Sequence, residues 1–345
     1  MPTEDSQSGR SYACALDLPE IRLQIFRQLS TRDLLNAALV CKAWTWPATD
    51  TAWRSSKFRL SWLLASLLNC TAGDMQRGIG LYRNFFKVGG VTPEEWDSRL
   101  QRAGKITHLI VDLSWKATVR IITTELSDPI HGPICPHLLS FELDIDGLES
   151  SHENADRERW TPLLPLLVGP DLEKLSLSFY AVMERVVQDI IQTLTRIAPQ
   201  IHTVRIINST KHSPDYFAFT HVKWLTVRGH ISHQTWQRLA SCPRLEGISL
   251  LRSHLGHNIK TQPYSVTFPH VKSFSVDLLQ ARRDAEFALA LLQGATMPEL
   301  QNLEINYPTY DGTTLEAVSS ELLRFMHRSL LLKEGVINGR VIQKG

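Results

Sequence analysis

The chain has 345 residues, of which 43% are hydrophobic and 21% are charged, and its formal net charge at pH 7 is +2. This composition is typical of a globular chain with a buried core, and the charge is too small to favour nucleic acid or a membrane surface as a partner. Five cysteines without a C-x-x-C pair favour a reducing compartment over a disulfide framework. The polar, acidic first fifteen residues do not predict a signal peptide, and the longest apolar run, LSWLLASLL, is too short to span a bilayer. We therefore expect a cytoplasmic or nuclear protein.

The first elements predicted along the chain are helices. Residues 1–14 are polar and are expected to form a disordered tail. Residues 16–60 are predicted to form a helical module, because Pro19 suits a first helical turn, where its missing N–H costs nothing. Ile21 and Ile25 then recur at helical spacing.

A second helix of this module is predicted to begin at Ser30, which is a favourable helix-capping residue. Pro47 is expected to end the helical pattern, since a proline inside a helix removes a hydrogen bond. Residues 61–102 predict a helical linker or cap, and the sequence TPEEW within them is typical of a helix start.

From residue 103 the chain repeats one pattern, in which apolar residues occupy positions i, i+3 and i+5. Each such triple predicts a short buried strand, with helical segments between the strands. The triples start 21 to 34 residues apart, close to the period of about 20–29 residues of a leucine-rich repeat. The eight triples are Ile106/Leu109/Val111, Leu138/Phe141/Leu143, Leu172/Leu175/Leu177, Ile201/Val204/Ile206, Val222/Leu225/Val227, Leu245/Ile248/Leu250, Val271/Phe274/Val276 and Leu300/Leu303/Ile305.

A proline-led phrase introduces six of these triples, in the forms CPHL, GPDL, APQI, CPRL, FPHV and MPEL. Such a phrase, called the lead-in below, is unlikely to recur six times by chance. Residues 103–330 therefore predict a leucine-rich-repeat-like solenoid rather than a non-repeating α/β domain. The asparagine that commonly follows the strand of such repeats is missing from its usual place, so the solenoid is expected to be irregular. Residues 331–345 fit either a terminal strand or a loose tail.

The segment LPEIRLQIFRQLSTRDLLNAALVCKAW, residues 18–44, resembles an F-box. The resemblance is carried by the LP start, the DL pair near the middle and the VCKAW close. In addition, the sequence EEWDSRLQRAGKITHL is similar to F-box proteins of filamentous fungi. The resemblance implies an α/β protein with an N-terminal three-helix F-box and an irregular leucine-rich-repeat solenoid. It also implies that this protein is the substrate-recognition subunit of an SCF-type cullin-RING ubiquitin ligase.

In that family the F-box docks on a Skp-family adaptor, and the repeats would hold a target protein, which the sequence does not identify. The matching adaptor-facing or supporting positions are Leu18, Pro19, Ile21, Ile25, Leu34, Val40 and Trp44. The residues themselves agree, because a helical module of about forty residues cannot bury so many large apolar side chains. The surplus is expected to form an apolar patch that a partner covers. The alternative is that the module only caps the solenoid.

Target binding is expected on the opposite, concave face of the predicted strands, because side chains alternate between the two faces of a strand. This face is acidic in the early repeats, with Glu142 and Asp144, and basic in the middle, with Arg205 and Arg228. Trp224 beside these arginines predicts a binding anchor, since Trp and Arg are enriched in interface hot spots. The alternative is that Trp224 packs on a neighbouring loop.

The sequence contains no common nucleotide-binding, serine-hydrolase or zinc-protease motif, and its histidines lack a second pair at zinc-site spacing. We therefore predict no enzyme activity, no metal and no cofactor. Cys41 lies inside the apolar helical motif and is expected to be a buried, inert thiol. Two alternatives stay open: an F-box and leucine-rich-repeat scaffold that delivers no substrates for ubiquitination, and a hydrolase or metal enzyme on an irregular α/β domain.

Overall fold

Three N-terminal helices precede a long, mostly parallel β-sheet in the described part of the chain. The computed structural model describes residues 18–68, 93–111, 132–146, 163–180, 184–208, 219–231, 233–251, 254–255, 265–277, 293–306, 312–329, 331–332, 334–337 and 340–343. The predicted tail over residues 1–14 lies outside these ranges.

The N-terminal helices are α1 (Pro19–Gln28), α2 (Thr31–Ala38) and α3 (Lys42–Ser55). Pro19 is the first residue of α1, where a proline lacks no hydrogen bond that the helix needs. The hydroxyl of Ser30 caps α2 by accepting a hydrogen bond from the Asp33 N–H at 3.2 Å, as expected of a serine in this position. The prediction that Pro47 ends the helical pattern is wrong, because α3 continues through Pro47.

Strands, with helices between some of them, make up the rest of the described chain. The strands are β1 (Lys57–Arg59), β2 (His108–Val111), β3 (Ser140–Asp146), β4 (Lys174–Tyr180), β5 (Thr203–Asn208), β6 (Trp224–Arg228), β7 (His230–Ile231), β8 (Gly247–Leu251), β9 (His254–Leu255), β10 (Val266–Thr267), β11 (Ser273–Asp277), β12 (Ala295–Thr296), β13 (Asn302–Asn306), β14 (Glu334–Ile337) and β15 (Arg340–Gln343). The helices are α4 (Leu60–Leu68), α5 (Pro93–Ala103), α6 (Glu184–Ile197), α7 (His233–Ala240) and α8 (Gly312–Arg328).

Eleven of these strands form one sheet in the order β1-β2-β3-β4-β5-β6-β8-β11-β13-β14-β15. All neighbours are parallel except β14 and β15, which form an antiparallel pair at the end of the sheet. The sheet therefore follows chain order, which is a solenoid-like arrangement. The pairs β7–β9 and β10–β12 form two further short ladders.

The eight predicted strands are confirmed, and all of their predicted apolar residues are buried. The middle residues of the triples lie directly opposite one another, so that each strand repeats the register of the last. This column comprises Leu109, Phe141, Leu175, Val204, Leu225, Ile248, Phe274 and Leu303. A shift of one residue would have moved every apolar side chain to the other face, so the shared register explains the shared sequence pattern.

Paired backbone hydrogen bonds hold the starts of successive strands together. The N–H groups of Glu173 and Lys174 both donate to the carbonyl oxygen of Leu139, at 3.0 and 2.9 Å. The same two-donor arrangement recurs on the carbonyls of Thr107, Glu173, His202, Lys223, Glu246 and Lys272. Each lead-in thereby satisfies its polar backbone at the point where the chain enters the sheet.

The segment between the three helices and the sheet supplies the first part of the main core. Four leucines of α4 are buried there: Leu60, Leu63, Leu64 and Leu67. The guanidinium of Arg99 on α5 donates to the Leu67 carbonyl at 2.9 Å and so caps the C-terminal end of α4. The apolar run that was too short for a membrane is therefore a core helix.

Candidate protein-interaction surfaces

The three N-terminal helices have a small core of their own. Only two of its six buried residues, Phe26 and Leu34, are large, and the others are Ala37, Ala38, Ala48 and Ala52. Trp44 packs edge-on against Phe26, with ring centroids 5.5 Å apart. So little apolar volume makes the helices only weakly stable by themselves.

The first helix is tied to the third at a position where α3 lacks a backbone hydrogen bond. Pro47 has no N–H to donate to the carbonyl of Ala43, four residues earlier. The guanidinium of Arg22 on α1 donates to this carbonyl instead, at 3.0 Å. The proline therefore leaves an acceptor that joins α1 to α3.

Several large apolar side chains of this region are exposed to solvent. Leu39 and Val40, directly after α2, are 84% and 67% exposed, and Leu18 is 48% exposed. The other exposed apolar residues of the region are Leu23, Ile25, Leu35 and Trp46. Leu18, Ile25, Leu35, Leu39 and Val40 are called the apolar surface below. Exposed apolar side chains in such number on a small module are typical of a surface that a partner covers.

The structure separates the predicted adaptor-binding residues into two groups. Leu18, Pro19, Ile25 and Val40 are exposed, and Ile21 is partly buried. Leu34 is completely buried and Trp44 packs on Phe26, so both support the helices and do not offer a contact surface.

Sequence reasoning missed Leu35 and Leu39, which lie four residues apart on the solvent side of α2. The signal was present in the sequence, because a helix with leucines at 34, 35 and 39 and alanines at 37 and 38 carries more apolar residues than one face can bury.

Polar contacts connect α3 to the start of the sheet. The Lys105 ammonium lies 2.6 Å from one carboxylate oxygen of Asp50, and the Arg54 guanidinium lies 2.9 Å from the other. Burial raises the pKa of Asp50, but the hydrogen bonds from Lys105 and Arg54 outweigh burial, and the net effect lowers that pKa below 3.8. The Lys105 ammonium also lies 4.6 Å from the centre of the Trp46 ring.

Aromatic packing reinforces this junction. Trp53 on α3 stacks on Phe58 in β1, with ring centroids 4.6 Å apart and ring planes 10° apart. Both side chains pack against the main core. The three-helix region therefore has its own core but also a fixed attachment to the first strand.

The predicted target-binding residues lie on the face of the sheet opposite the main core. Glu142, Asp144 and Arg205 are exposed there, and Arg228 is partly buried. Arg205 and Arg228 occupy neighbouring strands, β5 and β6, whereas the two acids lie together on β3.

Trp224 is 46% exposed and lies against Gly247, its direct neighbour on the next strand. A Cβ atom on Gly247 would lie only 2.1 Å from Cε3 of the Trp224 ring. The glycine therefore allows the indole to lie on the backbone of β8. This packing differs from the loop contact considered as the alternative, and it leaves part of the ring open to solvent.

The described cysteines differ in their exposure to solvent. The expectation that Cys41 is buried is wrong, since Cys41 is exposed at the start of α3. Cys135 is buried, and burial raises the pKa of its thiol to about 12, which makes it unreactive. The described residues contain no cluster of His, Cys, Asp or Glu that could hold a metal ion, and no described helix is both long and apolar enough to span a bilayer.

Comparison with known families supports an assignment for the three-helix region. A family model described as F-box-like matches residues 17–59, which is about an eighth of the chain and includes all three helices. No curated protein matches the chain. The protein therefore contains an F-box-like domain at its described N-terminal end, followed by a mixed α/β region with a parallel sheet.

Proposed function

We propose that this protein is the substrate-recognition subunit of an SCF-type cullin-RING ubiquitin ligase, in the cytoplasm or nucleus. The F-box-like domain would dock on a Skp-family adaptor, and the leucine-rich-repeat-like sheet would hold the target protein. The protein itself would perform no catalysis, because ubiquitin transfer belongs to other subunits of such a ligase.

The observation that carries this proposal is the apolar surface of the F-box-like domain. Leu39 and Val40 are largely exposed, although a single leucine gains about 1.5–3 kcal/mol when it is fully buried. A partner that covers this surface would recover that free energy. The small core of the domain supports the same conclusion, because a module with so little buried volume gains stability from a partner.

Co-purification with a recombinant Skp-family adaptor tests docking. The double variant Leu39→Asp/Val40→Asp should weaken binding by at least about 100-fold, since each aspartate would be buried without a partner. Both residues are exposed in the free protein, so the fold should survive. The matched control is Leu323→Asp/Leu331→Asp, which changes two exposed leucines far along the chain and should bind like the wild type. Absence of a complex with the wild type would refute the proposal.

A scaffold that delivers no substrates remains the second candidate, and the attachment of α3 to the sheet through Asp50 and Lys105 is equally compatible with it. The two candidates differ in their effect on bound proteins. A substrate receptor predicts that proteins captured on the sheet live longer in cells lacking this gene. A scaffold predicts unchanged lifetimes.

A further inference from the structure

A diagonal line of cations crosses three strands of the exposed sheet face. Lys174 on β4 lies opposite Thr203, and Arg205 follows two residues further along β5. Arg205 lies opposite Thr226, and Arg228 follows two residues further along β6. With strands about 4.8 Å apart and residues about 3.3 Å apart along a strand, successive cations are separated by about 8 Å at their Cα atoms. Lys174, Arg205 and Arg228 are called the cationic stripe.

The members of the cationic stripe lack ion pairs within the described part of the protein. Just before the neighbouring strands β8 and β11, by contrast, the Lys272 ammonium lies 3.5 Å from a carboxylate oxygen of Glu246. Among the described residues, no acid forms an ion pair with any member of the cationic stripe. The positive charge of Lys174 also acts on His108. Burial is the largest cause that lowers the pKa of His108, and the charges of Lys174 and Lys57 lower it further.

Trp224 provides an apolar contact beside the cationic stripe. It lies on β6, two residues before the residue opposite Arg205, and the missing Cβ of Gly247 leaves room for its ring against the sheet. An aromatic ring that is already ordered loses little conformational entropy when a ligand packs on it. The site therefore combines three cations that have no ion-pair partner among the described residues with one apolar anchor packed on the sheet.

Acidic residues limit the extent of this positive region. Glu142 and Asp144 lie on β3, next to Lys174, and Asp277 and Glu304 lie on β11 and β13. A polyanion such as RNA would cross these acids and be repelled by them. A short acidic peptide would fit on the cationic stripe without crossing these acids. Its spacing also matches, since an extended chain presents alternate side chains about 7 Å apart, close to the spacing of the cationic stripe.

We propose that the cationic stripe and Trp224 bind an extended acidic segment of a partner protein, with acidic residues at alternate positions and a large apolar residue that packs on the indole. The inference rests on the proposed function in one respect, namely that the segment would belong to the protein carried to the ligase. The binding itself does not require the F-box-like domain to be occupied.

Selection of random 12-residue displayed peptides on the immobilised full chain tests this inference at physiological salt. The enriched peptides should carry acids at alternate positions and a large apolar residue. The variant Arg205→Glu/Arg228→Glu should bind them at least about tenfold more weakly, the loss expected for charge-assisted hydrogen bonds. The control Arg185→Glu/Arg196→Glu changes the net charge equally on exposed positions of α6 and should bind like the wild type.

Two further variants separate the parts of the argument. Gly247→Ala should weaken peptide binding by displacing Trp224, without any change of charge. Arg205→Gln/Arg228→Gln repeats the charge test with a milder change, and circular dichroism checks that each variant is folded. The inference would be overturned if no peptide were enriched, if the enriched peptides were not acidic, if the folded arginine variants bound them normally, or if a 20-nucleotide RNA competed at equal concentration.

The Leu39→Asp/Val40→Asp variant distinguishes this inference from the proposed function. It should lose the Skp-family adaptor and keep the acidic peptides. If the wild type failed to bind the adaptor but bound the acidic peptides, only the ligase role would be refuted. Adaptor binding without selection of acidic peptides would refute only the inference about the cationic stripe.

Discussion

Replacement of Phe26 by alanine tests the claim that the F-box-like domain is a weakly stable module with its own core. Phe26 is one of only two large side chains in that core, and removal of a buried phenylalanine costs about 3–5 kcal/mol. At about 0.05–0.15 kcal/mol per residue, the 43 residues from 17 to 59 account for only about 2–6 kcal/mol. The substitution should therefore unfold α1 and α2 while the separate main core keeps the sheet folded.

Hydrogen exchange followed by mass spectrometry measures both regions in the same protein. Amides of α1 and α2 should lose protection in Phe26→Ala, while those of β3 to β6 should exchange as in the wild type. The control is Leu35→Ala on the exposed side of α2, where a change within about 0.5 kcal/mol is expected. The reasoning would be refuted if α1 and α2 remained fully protected, or if the sheet lost protection together with them.

Three further predictions concern the surface, the junction and the first helix contact. Cys41 should react with a maleimide in the free protein and be protected by a bound Skp-family adaptor. Buried Cys135 should stay unmodified in both states. Peptide mass mapping measures both, and unchanged labelling of Cys41 on adaptor binding would place the adaptor elsewhere. The lowered pKa of Asp50 means that its ion pairs stabilise the folded state above about pH 3.8 and are lost as the pH falls through the folded-state pKa. The melting temperature should therefore drop as the pH falls below about 3.8, and Lys105→Met should reduce this drop. Arg22→Ala removes the hydrogen bond to the Ala43 carbonyl, which is exposed and can then bind water. It should therefore destabilise the three helices by only about 0.5–1.5 kcal/mol, with Arg22→Lys restoring part of the loss. Equal denaturation midpoints for all three proteins would contradict this.

The sheet was predictable because its sequence signal repeats. In each unit the same three apolar positions face the core, and parallel strands in one register preserve those positions from strand to strand. Leu109, Phe141 and Leu175 illustrate this, since they share a spacing in the sequence and lie side by side in the structure. The paired hydrogen bonds on the lead-in carbonyls were not predictable, because they involve backbone atoms and are independent of side-chain type.

The F-box-like domain was less completely predictable from its residues. The family pattern selects both contact and support positions, and only the packing of the helices shows that Leu34 points into the core while Val40 does not. The carbonyl that Pro47 leaves without its helical donor is bonded by Arg22, twenty-five residues before the proline, and local sequence rules do not include such a partner. The ordering of Trp224 likewise depends on Gly247, which becomes its neighbour only through strand pairing.

Calorimetric titration of the full chain with a purified Skp-family adaptor tests the central claim most directly. We expect saturable binding with a negative heat-capacity change, the signature of apolar burial, and loss of that heat signal in Leu39→Asp/Val40→Asp. Absence of binding, or equal binding by this variant and the wild type, would contradict the account.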